Sequence, residues 1–461
     1  MTSFFFNDER PFSPFYLAMA FSSFTDNCSN CSSVIHPPEV MYLESLSSLR
    51  ILSKLNVGIE KETQYMVNVA VLGYGTVGAG VVNVLMTNAE MITRKVGTEV
   101  KVKYVLDLRD FPGTPVEDIV THDFNDIAND ADVNVVVETM GGLHPAYEFT
   151  KQALEAGKNV CTSNKELVAE FGVELCALAT KNSVNYMFEA SCGGGIPIIR
   201  ALNTSLMGEK IEMVSGILNG TTNYIMTSMY EKGVDFATCL KEAQDLGYAE
   251  LHPEADIEGH DAQRKIAILS SLAYGKHVNY KDVPCQGITQ IDTMDMAYAK
   301  KMGMKIKLLA TSKVTEDGVW AMVAPKLVSS DMILYAVDDV LNAVYVEGNC
   351  LGPAMFYGSG AGSLPTASAV VGDILDCVRN LHTTVKKDIT DEKLPLLPLD
   401  DVQNTFFVRA KDEAKAKAQF GPIELIRVND NEFGFWTEEM TEKEFKNKAK
   451  EADIISFLRR G

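Results

Sequence analysis

Residues 67–78, VNVAVLGYGTVG, decide the fold: a short uncharged apolar run, then Gly73, Gly75 and Gly78 at G-x-G-x-x-G spacing. The run predicts a buried strand, AGVVNVLMTNAEMITR (79–94) has helical spacing, and KVKYVLD (101–107) reads as a second strand. This is a βαβ unit. In such a turn the first glycine permits the tight bend and the second lets a pyrophosphate approach the backbone. The third lets helix and strand pack closely, while the phosphates sit on the helix N-terminus. Thr76 and Val77 fall in the same turn. The plainer alternative is a glycine-rich bend with no ligand; the place between strand and helix favours a dinucleotide.

Working outward, VNVVVE (133–138), NVCTSN (159–164) and VNYMFE (184–189) are further strands, separated by helices over Tyr147–Ala156 and Glu166–Lys181. Strands alternating with helices predict an α/β fold, a doubly wound, Rossmann-type parallel sheet whose ligand lies outside the C-terminal strand ends. Three such ends carry polar groups: Glu138-Thr139-Met140-Gly141-Gly142, Thr162-Ser163-Asn164-Lys165, and Glu189 through Gly195. Asp107 closes the second strand, where a carboxylate binds an adenosine ribose, while Arg109 suits a 2′-phosphate; NAD and NADP both stay open. Lys165 stands at a helix start, which the helix dipole disfavours, so a role at the crevice mouth explains it better than a surface position.

A second informative stretch is GYAELHPEADIEGHDAQRK (247–265), which places Glu250, Glu254, Asp256, Glu258 and Asp261 ahead of Lys265. Asp261 and Lys265 share a helix face at i,i+4 spacing, and the following Ile266-Ala267-Ile268-Leu269 run predicts that the helix is buried. The bland reading is a capped, charged helix. A buried lysine beside a carboxylate is also how an amine is made chemically useful.

With 461 residues and 46% hydrophobic content, the chain has room for two or three domains. A net charge of −20 argues against nucleic-acid or anionic-membrane binding and favours small molecules. The nine cysteines are scattered and read as reduced thiols of a cytoplasmic protein; Cys28 and Cys31 form a CxxC with no second pair for a zinc site. Residues 1–65 read as an N-terminal extension, with Met66 as an alternative start. Their apolar run Phe15–Phe24 is too short to span a bilayer and lacks a basic region before it.

Six segments in order, VAVLGYGTVGAGVV, CTSNKELVAEFG, FEASCGGGIPIIRAL, GILNGTTNYIM, LGYAELHPEADIEGHDAQRKIAIL and YGSGAGSLPTASAVVGD, closely resemble homoserine dehydrogenase from about Val67 to Leu381. The resemblance implies NAD(P)-dependent interconversion of L-homoserine and L-aspartate 4-semialdehyde, in the route to threonine, methionine and isoleucine. It assigns Lys265 as catalytic acid/base, Asp261 as its partner, Lys165 as a second active-site lysine and Glu250 as the holder of the substrate amino group. Asp256, Tyr248, Gly220 and Thr221 match other pocket positions, and Thr139 and Gly360 fall at cofactor positions. It also implies a sodium ion held by Glu189 and the main-chain carbonyls of Cys192, Gly194 and Ile196, where the plainer reading is an inter-domain hinge. Oxygen ligands suit that hard cation.

The domains expected are a nucleotide domain (66–190), an α+β substrate and dimerisation domain (191–357), a glycine loop with a helix returning to the nucleotide domain (358–385), and a tail (403–461). Strands EMVSGIL, KIKLLATSKV, VWAMVAPKL and LNAVYVEGN suit a mixed sheet that, by resemblance, pairs across a homodimer. The tail has the strand-helix-strand-strand-helix-strand order of a degenerate ACT-like, ferredoxin-like domain. Its first helix, KDEAKAKAQ, is short and the usual turn before it is absent, so it reads as a stabilising or interaction module rather than a threonine sensor. Two rivals remain: another amino-acid or semialdehyde dehydrogenase, and a non-enzymatic NAD(P)-sensing protein. Cys192 has no local histidine partner, against the first; Lys165, Lys265 and Glu250 together are superfluous to the second.

Overall fold

The computed structural model describes residues 66–461; the calls on the N-terminal extension and its CxxC lie outside them. The nucleotide domain runs β1 (Met66–Leu72), α1 (Thr76–Thr87), β2 (Glu99–Leu106), β3 (Val120–Thr121), β4 (Val133–Glu138), α2 (Ala146–Glu155), β5 (Asn159–Thr162), α3 (Lys165–Lys181) and β6 (Tyr186–Met187). All neighbours pair in parallel, in the order β3-β2-β1-β4-β5-β6. That order places the switch point between β1 and β4, at the end of the glycine turn.

Two local expectations change. The helix expected over 79–94 is two helices, α1 and Ala89–Val96, because Asn88 leaves helical geometry between them. Strand β5 stops at Thr162, and Asn164 caps α3 by accepting the Leu167 N–H at 3.1 Å. Lys165 is therefore the first residue of the helix.

The second layer contains β7 (Ile211–Ile217), α4 (Gly220–Lys232), α5 (His260–Tyr274), β8 (Lys305–Thr315), β9 (Gly318–Val328), β10 (Leu341–Gly348) and β11 (Gly352–Ser359). Strand β11 extends through residues expected to open the glycine loop. Helix α6 (Ser363–Arg379) then returns to the nucleotide domain, burying Ala367, Val370 and Ile374 with Val69, Val71 and Val137. It lies so close to α1 that a Cβ on Gly80 would stand 2.7 Å from Ser363 Oγ.

Among the described residues, the only sheet the tail forms by itself is the short pairing of Gln403–Asn404 with Met440–Thr441. Its strands β12 (Phe406–Ala410), β13 (Phe433–Trp436) and β14 (Ile454–Arg460) continue the substrate-domain sheet, in the order β11-β10-β7-β8-β9-β14-β12-β13. Lys326 and Leu327 of β9 pair with Arg459 and Arg460 of β14 in parallel. Of the two strands expected between the tail's helices, α7 (Glu413–Phe420) and α8 (Glu442–Ala452), the second forms as β13 and the first shrinks to an Ile426–Gly434 bridge. Pro422 and the polar Asn429-Asp430-Asn431 turn leave little room for more.

Buried Arg409 of β12 ties the tail down. It donates to both Glu432 oxygens at 2.8 and 3.1 Å, and to Asp292 and Asp295 at 2.7 Å each, the N-cap and a first-turn residue of helix Thr293–Lys301. Removing one partner strands buried charge, so Arg409→Ala is expected to lower stability by about 3–5 kcal/mol in urea unfolding. A tail that docks loosely would give a far smaller loss.

Candidate active site

The glycine turn is shaped by contact. Gly73 has φ +89°, and its N–H donates to Leu106 O at 2.7 Å. A Cβ on Gly78 would lie 1.9 Å from Gly73 O, so only glycine allows this approach of helix to strand; one on Gly75 would meet nothing within 4 Å. Gly75 caps α1 without a side-chain bond, leaving the first N–H groups of the helix, Thr76 and Val77 included, for an anion. Thr139 Oγ1 donates to Leu72 O and Gly73 O, both at 3.0 Å, and locks the turn to β4. A cavity of about 430 Å³ opens here, lined by Gly73, Gly75, Asp107, Arg109, Thr139 and Met140 among others.

At the ribose end, Asp107 accepts Tyr74 N–H (2.8 Å), Arg109 N–H (3.1 Å), Arg109 Nε (3.0 Å) and Arg109 Nη2 (3.1 Å). The Arg109 guanidinium holds its carboxyl down at about 2. Arg109 itself is exposed and lies over the Phe111 ring, 5.1 Å from its centroid.

The chemistry-bearing groups meet at Asp261. This residue is 1% exposed, in the first turn of α5, after Gly259 at φ +84°. Its Oδ2 accepts from Lys265 Nζ at 2.7 Å and its Oδ1 lies 2.6 Å from Lys165 Nζ. One lysine comes from the same helix, the other from the nucleotide domain. Burial opposes the charge on Asp261, but Lys265 and Lys165 overcome it and hold the carboxyl well below the usual range. Burial likewise opposes the Lys165 ammonium, and the Asp261 charge raises it above the ordinary lysine value. Lys265 Nζ also donates to Leu218 O at 2.7 Å.

Asp256 joins this cluster through Asn219, whose Nδ2 donates to Asp256 Oδ1 (2.7 Å) and Asp261 Oδ2 (2.9 Å). Burial, then the Asp261 charge, raises the Asp256 pKa. Asn219 was not singled out in the sequence; the available signal was an asparagine before the helix-starting Gly220-Thr221-Thr222. Thr221 Oγ1 donates to Tyr248 O at 2.6 Å, and Tyr248 packs edge-on against Tyr224, so Gly220, Thr221 and Tyr248 adjoin the cluster. Glu250 lies on the same loop and is exposed, while both lysines pair with Asp261. Glu138 is fully buried and braces strand ends: it accepts Thr162 Oγ1 at 2.5 Å and Met140 N–H at 2.8 Å, and burial raises its pKa.

Two expectations find a different arrangement. Gly360 packs against protein: a Cβ there would stand 2.0 Å from Asn342 Nδ2, and one on Gly194 would stand 2.5 Å from Gly360 C. The loop meets the nucleotide side through Ser363, whose Oγ donates to Thr76 O at 2.6 Å. At the segment expected to hold sodium, the polar groups have partners within the protein. Glu189 accepts Ile199 N–H (2.8 Å) and Arg200 N–H (2.7 Å), capping the start of Ile198–Arg200, and Ile196 O accepts Ile198 N–H at 2.9 Å. Cys192 turns its Sγ toward Lys265 O at 3.7 Å, with burial pushing the thiol up to about 12. Gly193 and Gly194 both have positive φ, so the chain turns sharply here. A larger cavity, about 790 Å³ between α3 and residues 384–391, contains none of the expected site residues.

This arrangement can hold a dinucleotide along one wall and a small polar molecule against two cations and two carboxylates. Family models described as "Homoserine dehydrogenase, NAD binding domain" and "Homoserine dehydrogenase" match residues 73–189 and 197–375. The homoserine dehydrogenase of Neisseria gonorrhoeae is 41% identical over 370 residues, covering 77% of this chain and 85% of that one. That of Helicobacter pylori is 36% identical over 409 residues, 85% and 96% of the two chains. A homoserine dehydrogenase structure from Thiobacillus denitrificans superposes with TM-score 0.80 at 35% identity, covering 86% of this chain and 98% of that one. A hyperthermophilic archaeal homoserine dehydrogenase in complex with NADPH gives TM-score 0.57 at 28% identity, covering 68% and 97%. Sequence, fold and site geometry thus give one answer: the chain belongs to the homoserine dehydrogenase family of NAD(P)-dependent oxidoreductases.

Proposed function

We propose that the enzyme interconverts L-homoserine and L-aspartate 4-semialdehyde with Lys265 handling the proton, Lys165 as a fixed cation and Asp261 aiming both. The observation that carries this reading is the sharing of the Asp261 carboxylate, one oxygen to each lysine. NAD(P), when bound, supplies the hydride acceptor or donor. As hydride leaves the hydroxyl-bearing carbon, its oxygen must lose a proton, and a positioned amine within hydrogen-bond reach takes it. Lys265 Nζ already donates to Asp261 and Leu218 O, so two of its three positions are in use and the third faces the reaction. That third position is the lone pair of the amine in oxidation and the N–H of the ammonium in reduction. Lys165, kept charged by Asp261, stabilises the negative oxygen in both directions.

The substrate ammonium needs carboxylates, for which Asp256 and Glu250 are the candidates; Gly220, Thr221 and Tyr248 form the adjoining wall. No step is routed through an ion at Glu189. A second asymmetry favours NADP over NAD. Asp107 already accepts four N–H groups, about the capacity of a carboxylate, so it is poorly placed to receive a ribose diol, while exposed Arg109 stands ready for a 2′-phosphate. We also infer a homodimer joined at β11, the outer strand of the eight-stranded sheet, where Tyr357 is 53% exposed. Among the described residues no helix is long and apolar enough to cross a membrane, and the free thiols fit a cytoplasmic setting.

Three outcomes test this. Reduced nicotinamide formed with homoserine should depend on Lys265: Lys265→Ala should lower kcat by about 10²–10⁴-fold with the KM for NADP little changed. Undiminished turnover, or none in the wild type with either cofactor, sinks the reading. Arg109→Ala should raise the KM for NADP about tenfold or more and leave NAD nearly unaffected; equal effects on both would refute the preference. Third, Asp256 must be ionised to hold an ammonium, and its raised pKa means it protonates at higher pH than an ordinary aspartate. On acidification kcat/KM for homoserine should therefore decline before Asp261 titrates, and Asp256→Asn should remove that limb from the pH profile.

A further inference from the structure

Asn219 bonds through every face of its amide. Besides the two hydrogens given to Asp256 and Asp261, its Oδ1 accepts Thr222 N–H at 2.9 Å and Thr222 Oγ1 at 3.0 Å. It is 6% exposed, so none of this is a surface accident. Capping α4 requires only the acceptor half, which serine, threonine or aspartate would supply equally well. The donor half has a different purpose. Two partly or fully buried carboxylates five positions apart repel each other, and a short neutral amide with two hydrogens is the side chain that can join them without adding charge.

The charged groups facing Asp256 are Asp261, which opposes its ionisation, and Lys165 and Lys265, which favour it; Asn219 adds the one hydrogen bond that favours its anion. That bond engages Oδ1 and leaves Oδ2 for a ligand.

We propose that Asn219 is a positioning residue for the dehydrogenation: its amide clamps Asp256 against Asp261 so that the free Asp256 oxygen faces the amino-acid substrate. This rests on the reading of the site given above. The clamp acts through Asp256, not on the reacting carbon, and so governs substrate capture more than turnover.

Asn219→Ser keeps the cap acceptor and removes both donors. Losing a hydrogen bond to a charged group, it should raise the KM for homoserine about tenfold, with a smaller effect on kcat and none on the KM for NADP. The acidic limb of kcat/KM should move to higher pH, because Asp256 loses a bond that favours its anion. Asn219→Asp, which keeps the cap but adds a third carboxylate, should be worse. In an Asp256→Asn background, Asn219→Ser should cost little more, since the partner it acts on has lost its charge. A wild-type homoserine KM and an unshifted limb in Asn219→Ser, or full additivity in the double variant, would overturn the clamp and leave Asn219 a helix cap. A wild type without homoserine-dependent turnover would overturn the clamp together with the site reading on which it rests.

Discussion

Everything in the site depends on a carboxylate that cannot be buried alone. Asp261 is almost wholly removed from water, and a lone anion there would be strongly disfavoured. Two ammonium groups and an amide hydrogen resolve this, but they arrive from different parts of the chain: Lys265 one turn along the same helix, Lys165 from the first turn of α3, Asn219 from the start of α4. The charge balance that stabilises Asp261 therefore also fixes the nucleotide domain against the substrate domain. Loss of either lysine is a structural event as well as a chemical one.

The return of α6 serves the same end by different means. Its contact with α1 is close, with Gly80 against Ser363 and Ala367 and a hydrogen bond from Ser363 to Thr76 O, and Arg200 extends it by bonding Asp373 and Asp376. Asp373 is buried beside Glu189, and burial together with that neighbouring charge pushes it up to about 7. The segment expected to hold an ion is thus braced by a carboxylate pair and an arginine.

Much of this was legible where one residue type permits one arrangement. Gly73, Gly75 and Gly78 could be read because strand, turn and helix each restrict the backbone, and the Asp261–Lys265 pair because helical spacing puts both on one face. The meeting of Lys165 with Asp261 could not be derived from local patterning, since the two are joined only by tertiary packing. Asn219 escaped because an N-cap and a double donor look identical in sequence. The two N–H groups that Glu189 accepts could not be read from sequence either, since its contacts with Ile199 and Arg200 depend on how the segment folds back. The two helices and three of the four strands expected in the tail form, but nothing in TFFVRA or IISFLRR says whether the strands close a sheet of their own or extend another.

That extension has a consequence for synthesis. Strand β9 has β8 on one side and β14 on the other, and β14 follows β9 by well over a hundred residues, roughly ten seconds of translation at typical rates. Until β14 emerges, the catalytic sheet carries unpaired backbone at Lys326 and Leu327, beyond the point where Val323 is already bonded to Pro284 and Gln286. The nascent enzyme thus passes through an interval in which its active-site residues have all been made and its central sheet is still adhesive.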